Sequence, residues 1–157
     1  MKTTTGYSLV QILLHWGIAL LIGVAWLTGE GAGKALDAAK AGTVPGFVPH
    51  VALGLAILAL VVVRVVVRLQ RGAPSAPGVP GSLRVLAAEW GHRLLYLLMI
   101  AVPLGGIATW FLGMDTGEIH ELFGNALFFL AAAHAAVAVF HQVVLKDGLI
   151  RRMMRPA

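Results

Sequence analysis

With no cysteine anywhere in its 157 residues, this chain has six histidines as its strong metal ligands. Two of them, His120 and His134, stand fourteen residues apart within one long apolar stretch. On an α-helix that spacing leaves a residue about 40° from a face match and about 21 Å further along the axis. Both imidazoles therefore project from one face at two depths. That face continues through His120, Gly124, Leu127, Ala131, His134, Ala138 and His141, and its small residues leave flat space where a large planar group can lie against the backbone. Such a face suits two haems stacked along one helix. Without cysteine there is no thiolate iron–sulfur cluster, no disulfide and no C-x-x-C-H attachment, so any haem is of the b type, held by ligation and packing.

The elements that would position these histidines follow from composition. With 59% hydrophobic and 12% charged residues, the chain has apolar runs with no water-facing side, as in a membrane protein. Four stretches, approximately 8–28, 48–69, 88–112 and 120–145, have the length that crosses about 30 Å of hydrocarbon. The expected architecture is all-α: a single transmembrane domain over residues 1–157, built as an integral membrane four-helix up-down bundle. An N-terminal signal peptide fits poorly, because Gln11 and His15 interrupt the first apolar run. The basic residues are unevenly placed: Lys2, Arg64, Arg68, Arg71, Arg84, Arg93, Lys146, Arg151, Arg152 and Arg155 fall on one side and only Lys34 and Lys40 on the other. By the positive-inside rule both termini are expected in the cytoplasm. The acids run the other way, with Glu30, Asp37, Asp115, Glu118 and Glu121 outside. The net charge of +5 brackets apolar spans without an aromatic-interleaved stripe, which argues against nucleic acid as a partner.

The connections are short apart from two. The outer loop from Glu30 to Pro49 has an Ala-rich middle suited to a short surface helix, and Gly72 to Ser82 carries Pro74, Pro77 and Pro80, as an irregular cytoplasmic linker would. Asp115, Thr116, Gly117 and Glu118 supply capping-type residues before the fourth helix.

Depth decides which histidines can pair. His15 and His134 fall in the inner half of the bilayer, His50 and His120 in the outer half. Two bis-histidine sites follow, His15 with His134 and His50 with His120, and saturation of both axial positions of an iron favours electron transfer over oxygen chemistry. The plainer reading of a membrane histidine is a helix-to-helix hydrogen bond, but four at matching depths on three helices point to ligands. His92, near the cytoplasmic mouth of the third helix, competes with His134 for His15 or serves beside the site. His141, one step below His134, reads as a quinone-site or proton-transfer residue, or as an interfacial hydrogen-bonding group. Arg64 and Arg68 share the His50 face and reach the inner half, where they either pair with haem propionates or snorkel to phosphates. Ser8 and Gln11 lie on the His15 face and are suited to a polar pocket. Pro103 with Gly105 and Gly106 marks a bend in the third helix.

These residues resemble the bacterial cytochrome b561 family, which is related to the membrane cytochrome b subunits of formate dehydrogenases and hydrogenases. The resemblance covers nearly the whole chain: Tyr7 to Trp16, His50 with Val63-Arg64 and Val67-Arg68-Leu69, Gly91-His92, Tyr96, Pro103, His120-Glu121, Asn125, His134-Ala135-Ala136, His141 and the tail from Lys146 to Met153. It implies a four-helix bundle in the bacterial inner membrane with two b haems, whose ligands map onto His15, His50, His120 and His134. Members of the family resemble wires between the quinone pool and a partner outside. One branch oxidises superoxide at the periplasmic face and reduces ubiquinone. The short acidic connection from Met114 to Ile119 steers an anion poorly and a basic periplasmic cytochrome c well. The expected activity is therefore electron transfer between quinone and an outer partner, with superoxide:ubiquinone oxidoreduction as the enzymatic alternative and a haem-free membrane scaffold as a third. Solitary chain, homodimer and subunit of a larger complex all remain open.

Overall fold

In the computed structural model, which describes residues 6–74, 79 and 81–156, the chain forms four long antiparallel helices. They are α1 (Leu9–Lys40), α2 (Pro49–Arg71), α3 (Leu83–Leu112) and α4 (Gly117–Phe140). A π-helical turn (His141–Leu145) and a short 3-10 helix (Ile150–Met153) follow. Lys2, Pro77 and Pro80, which entered the charge and linker readings, lie outside the described residues. Packing runs around a ring, α1 on α2, α2 on α3, α3 on α4 and α4 back on α1. An up-down bundle of this kind brings the start of α1 and the end of α4 to one end, here termed the termini end. The α1–α2 and α3–α4 connections lie at the other, the loop end.

Each helix begins and ends where its local chemistry dictates. The α1 N-cap is Ser8, in a capping box whose partner is Gln11: the Ser8 hydroxyl accepts from Gln11 N–H and the Gln11 Oε1 accepts from Ser8 N–H at 2.9 Å. Pro49 opens α2, where its missing N–H costs no hydrogen bond. Ser82 caps α3, and Gly113 closes it at φ +65, a left-handed conformation that glycine adopts freely.

Three boundaries differ from the sequence reading. The first helix continues to Lys40 and absorbs the supposed separate surface helix, because the Ala, Leu and Lys residues of 34–40 outweigh Gly31 and Gly33 and Lys34 pairs with Glu30 at 2.7 Å one turn away. At 32 residues α1 is about 48 Å long, so its last turns extend past a hydrocarbon layer of about 30 Å. The third helix starts at Leu83, five residues early. The fourth starts at Gly117 with no side-chain cap; the Thr116 hydroxyl lies 2.8 Å from that of Thr109 and binds α3 instead.

The core is thin. Ile18, Ile22, Ala25, Ile57, Val61, Leu95, Leu98, Met99 and Leu127 are buried together at the bundle axis, with Val61 fully enclosed. Leu20, Leu27, Leu69, Phe111, Phe129 and many other large apolar side chains face outwards. In water such a surface would aggregate, whereas in hydrocarbon it is the solvated face. All four helices are long and apolar enough to span a membrane.

Between α1 and α4, Trp26 Nε1 donates to Asn125 Oδ1 at 2.8 Å and its ring stacks on Phe128 at 4.2 Å. At the termini end, the buried Gln11 side chain donates to the Gly72 carbonyl at 2.9 Å and closes α1 onto α2. Gln11→Ala removes the capping box and leaves that carbonyl without its donor. The expected cost is about 1–2 kcal/mol, read as a lower thermal midpoint of the detergent-purified protein than that of wild type.

Candidate functional site

At the loop end, the first turns of α2 and α4 bring His50 and His120 together with ring centroids 5.8 Å apart and planes at 89°. Each ring is fixed from behind by a helix carbonyl. His50 Nδ1 lies 2.9 Å from Ala25 O, and His120 Nδ1 lies 2.9 Å from Val102 O. A carbonyl only accepts, so both Nδ1 atoms carry the hydrogen and both Nε2 atoms keep a lone pair. This is how metal-binding imidazoles are held: the far nitrogen donates to the protein and so fixes the tautomer and aim of the near one.

The small residues after Pro103 make this approach possible. A Cβ on Gly106 would lie 3.0 Å from His120 Cε1, whereas one on Gly105 would keep an ordinary 3.8 Å from Nδ1. The sequence reading had given Gly105 and Gly106 only to a bend. Their role as the seat of His120 depends on the α3–α4 register, which no local pattern announces.

At the termini end, three imidazoles gather. His15 on α1 and His134 on α4 have centroids 6.3 Å apart, and His92 on α3 stands 5.0 Å from His134. His92 donates from Nδ1 to Ala88 O at 2.6 Å, within its own helix. His15 is held differently: its Nδ1 lies 3.1 Å from Arg64 Nη2, and since a guanidinium only donates, this Nδ1 accepts. Arg64 also donates from Nε to Tyr96 Oη at 3.0 Å and from Nη1 to Gln11 O at 3.3 Å. Arg64 and Arg68 both lie over the Tyr96 ring, at 5.9 and 5.8 Å. The arginine therefore braces a histidine ring, α1 and α3 together. Ser8 and Gln11, expected to line a polar pocket beside His15, direct their side chains to the α1 cap and to Gly72.

Below His134, the π turn carries His141, whose Nδ1 lies 2.5 Å from Asp147 Oδ2. That hydrogen bond holds the Asp147 carboxyl below its usual range. A depressed carboxylate contributes its stabilisation above the ordinary pKa and loses it only as pH falls through the lower folded value, so the pair persists through mild acidification. Sequence reading had quoted Asp147 without a role. Its six-residue distance from His141 fits no helical contact, and only the turn between them closes it.

The donor set at the loop end fits haem; at the termini end the spacing of the imidazoles fits it, while His15 as it stands accepts at Nδ1 and so carries its hydrogen on Nε2. Among the described residues no group of three His, Asp or Glu side chains is disposed to hold a metal ion by itself, and the termini end adds His92 beside His15 and His134 without completing a protein cage. Two axial nitrogens suffice only for a metal whose other positions are filled by a planar macrocycle. Two metal–imidazole bonds of about 2.0–2.1 Å with both ring radii place centroids about 6 Å apart, close to the separations seen at both ends.

Four apolar helices carrying paired imidazoles at two levels define a membrane cytochrome b. The chain matches the family model for prokaryotic cytochrome b561 over residues 6–156. It is 42% identical to cytochrome b562 of Cereibacter sphaeroides, over 99% of both chains. It is 32% identical to a probable superoxide oxidase CybB of Yersinia pestis, over 94% of this chain and 95% of the relative. It is 29% identical to cytochrome b561 homolog 1 of Escherichia coli K12, over 94% and 96%. The chain belongs to the prokaryotic cytochrome b561 family, membrane haem-b proteins of electron transfer.

Gly106→Ala is expected to push the His120 ring off its seat, lowering the haem-to-protein ratio and broadening the reduced spectrum. Gly105→Ala, with room for its methyl group, is expected to match wild type in the same haem extraction.

Proposed function

We propose that this protein carries electrons across the bacterial inner membrane between the quinone pool and a periplasmic redox partner through two b haems. His50 and His120 ligate the haem at the loop end, His15 and His134 the haem at the termini end. The observation that supports this reading is the matched pair at the loop end, two imidazoles with centroids 5.8 Å apart, each with Nδ1 fixed by a carbonyl and Nε2 left with its lone pair. Haem b so held supplies one-electron iron chemistry with both axial positions filled.

The remaining residues bind, orient and exclude. Arg64 holds His15 and places a positive charge beside the haem at that end, where it or Arg68 answers a propionate. His141 hydrogen-bonds the quinone head at the membrane boundary. The apolar core between the two levels keeps water from the path. We assign the basic termini end to the cytoplasm, which the positive-inside rule supports, and the acidic loop end to the periplasm, where it attracts a basic partner such as a cytochrome c.

A second reading has specific support, since one relative at 32% identity is named a probable superoxide oxidase. In that reading superoxide gives its electron at the loop end and ubiquinone is reduced at the other. The isolated protein separates the two: superoxide-driven ubiquinone reduction without any added partner establishes the enzyme, and its absence leaves the wire.

The ligand assignment predicts the variants. His120→Ala is expected to lose the haem at the loop end and His15→Ala the one at the termini end, each halving haem content in a pyridine haemochromogen assay. Full haem content in either variant would refute the pairing. His141→Ala is expected to keep both haems and slow quinone-linked haem reduction in stopped-flow spectra.

A further inference from the structure

The end of α4 departs from regular helix in a way that bundle packing does not require. The backbone widens into a π turn over His141–Leu145, and Lys146 then takes a left-handed conformation at φ +53. A non-glycine residue there costs about 1–2 kcal/mol, and single π turns recur at functional sites. The combined effect is to turn the chain back on itself. Asp147 N–H points to His141 O at 3.4 Å, and Asp147 Oδ2 meets His141 Nδ1 at 2.5 Å. Its other oxygen, Oδ1, accepts from Leu149 N–H at 3.0 Å, so the carboxylate is held at both oxygens.

The tail is tied down further on, where Trp16 Nε1 donates to Met153 O at 2.8 Å. Trp16 stands edge-on to His15 with ring centroids 5.3 Å apart. The histidine–aspartate pair is thus anchored to α4 on one side and, through the tail, to the helix that carries His15 on the other. In the same turn Gln142 Oε1 is buried with no hydrogen-bond partner among the described residues.

We propose that Asp147 is the positioning residue of the quinone site: it holds His141 in the Nδ1–H tautomer and so aims Nε2 at an oxygen of the quinone head. This inference rests on the quinone reading of this end. An ionised carboxylate has no hydrogen to give, so Nδ1 must donate and Nε2 alone is left for the ligand. Nε2 accepts from a quinol hydroxyl when the ring is neutral and donates to a quinone carbonyl when it is protonated. Without the carboxylate, the ring rotates and exchanges tautomers, and the ligand loses a preset partner. A carboxamide at position 147 still offers an oxygen to Nδ1–H and keeps the aim.

The test uses the haem-loaded protein in detergent, labelled with 15N-histidine and reduced with dithionite so that low-spin haem is diamagnetic. Long-range proton–nitrogen correlation reads the His141 tautomer, and stopped-flow reduction of the oxidised protein by a short-chain ubiquinol reads the kinetics. Wild type is expected to show Nδ1–H. Asp147→Ala is expected to shift His141 towards Nε2–H and to raise the quinol KM about tenfold, the loss of one oriented hydrogen bond, with kcat and haem content unchanged. Asp147→Asn is expected to restore both readouts to near wild type. An unchanged tautomer in Asp147→Ala overturns the inference. So does a lowered thermal midpoint with unaltered KM, which would make the pair a clasp for the tail. A shifted tautomer with wild-type quinol kinetics in both Asp147→Ala and His141→Ala refutes the quinone reading itself.

Discussion

Everything in this bundle depends on the demand that an imidazole N–H inside hydrocarbon find an acceptor. An unanswered polar group there costs several kcal/mol, and helical backbone offers few free carbonyls because its own ladder uses them. His50 and His120 meet the demand by donating to carbonyls of neighbouring helices, Ala25 O on α1 and Val102 O on α3. Those bonds knit α1 to α2 and α3 to α4, the two most extensive packings of the ring. The same interactions that satisfy the rings also fix the tautomer that leaves each Nε2 its lone pair. Stability and ligand geometry at the loop end are one problem with one solution.

The termini end is held by charge instead, with Arg64 donating to the His15 Nδ1 lone pair rather than accepting an imidazole N–H. Arg64 reaches His15, Tyr96 and the Gln11 carbonyl from the middle of α2, so one guanidinium links three helices. A half-buried guanidinium is tolerated because each of its nitrogens has a partner and the Tyr96 ring lies against both it and Arg68. The two ends therefore differ electrostatically: neutral carbonyls stand behind the imidazoles at the loop end, and a guanidinium stands beside His15 at the termini end.

The polar features at the ends are likewise coupled to the helices rather than added to them. The tail crosses back to Trp16, the turn after α4 presents His141, and the α1 cap ties to Gly72 at the end of α2. Each contact closes the bundle at the boundary, where lipid headgroups and water replace hydrocarbon. Glu30 and Lys34, on the part of α1 that extends past the hydrocarbon thickness, are exposed and serve the helix alone.

Much was already determined by sequence. Apolar run length set four helices, because a membrane admits no other spanning structure for such a chain. Histidine spacing on α4 set two levels, because helical rise and rotation are fixed numbers, and opposed helix directions placed His50 with His120 and His15 with His134. The tertiary structure alone decided what stands behind each ring. Gly106 seats His120, Arg64 faces His15, and Asp147 returns to His141, contacts that span fourteen, forty-nine and six residues. None leaves a periodic trace. Helix register and the geometry of one irregular turn arise from packing between elements, whereas periodicity reports only which face each element turns inwards.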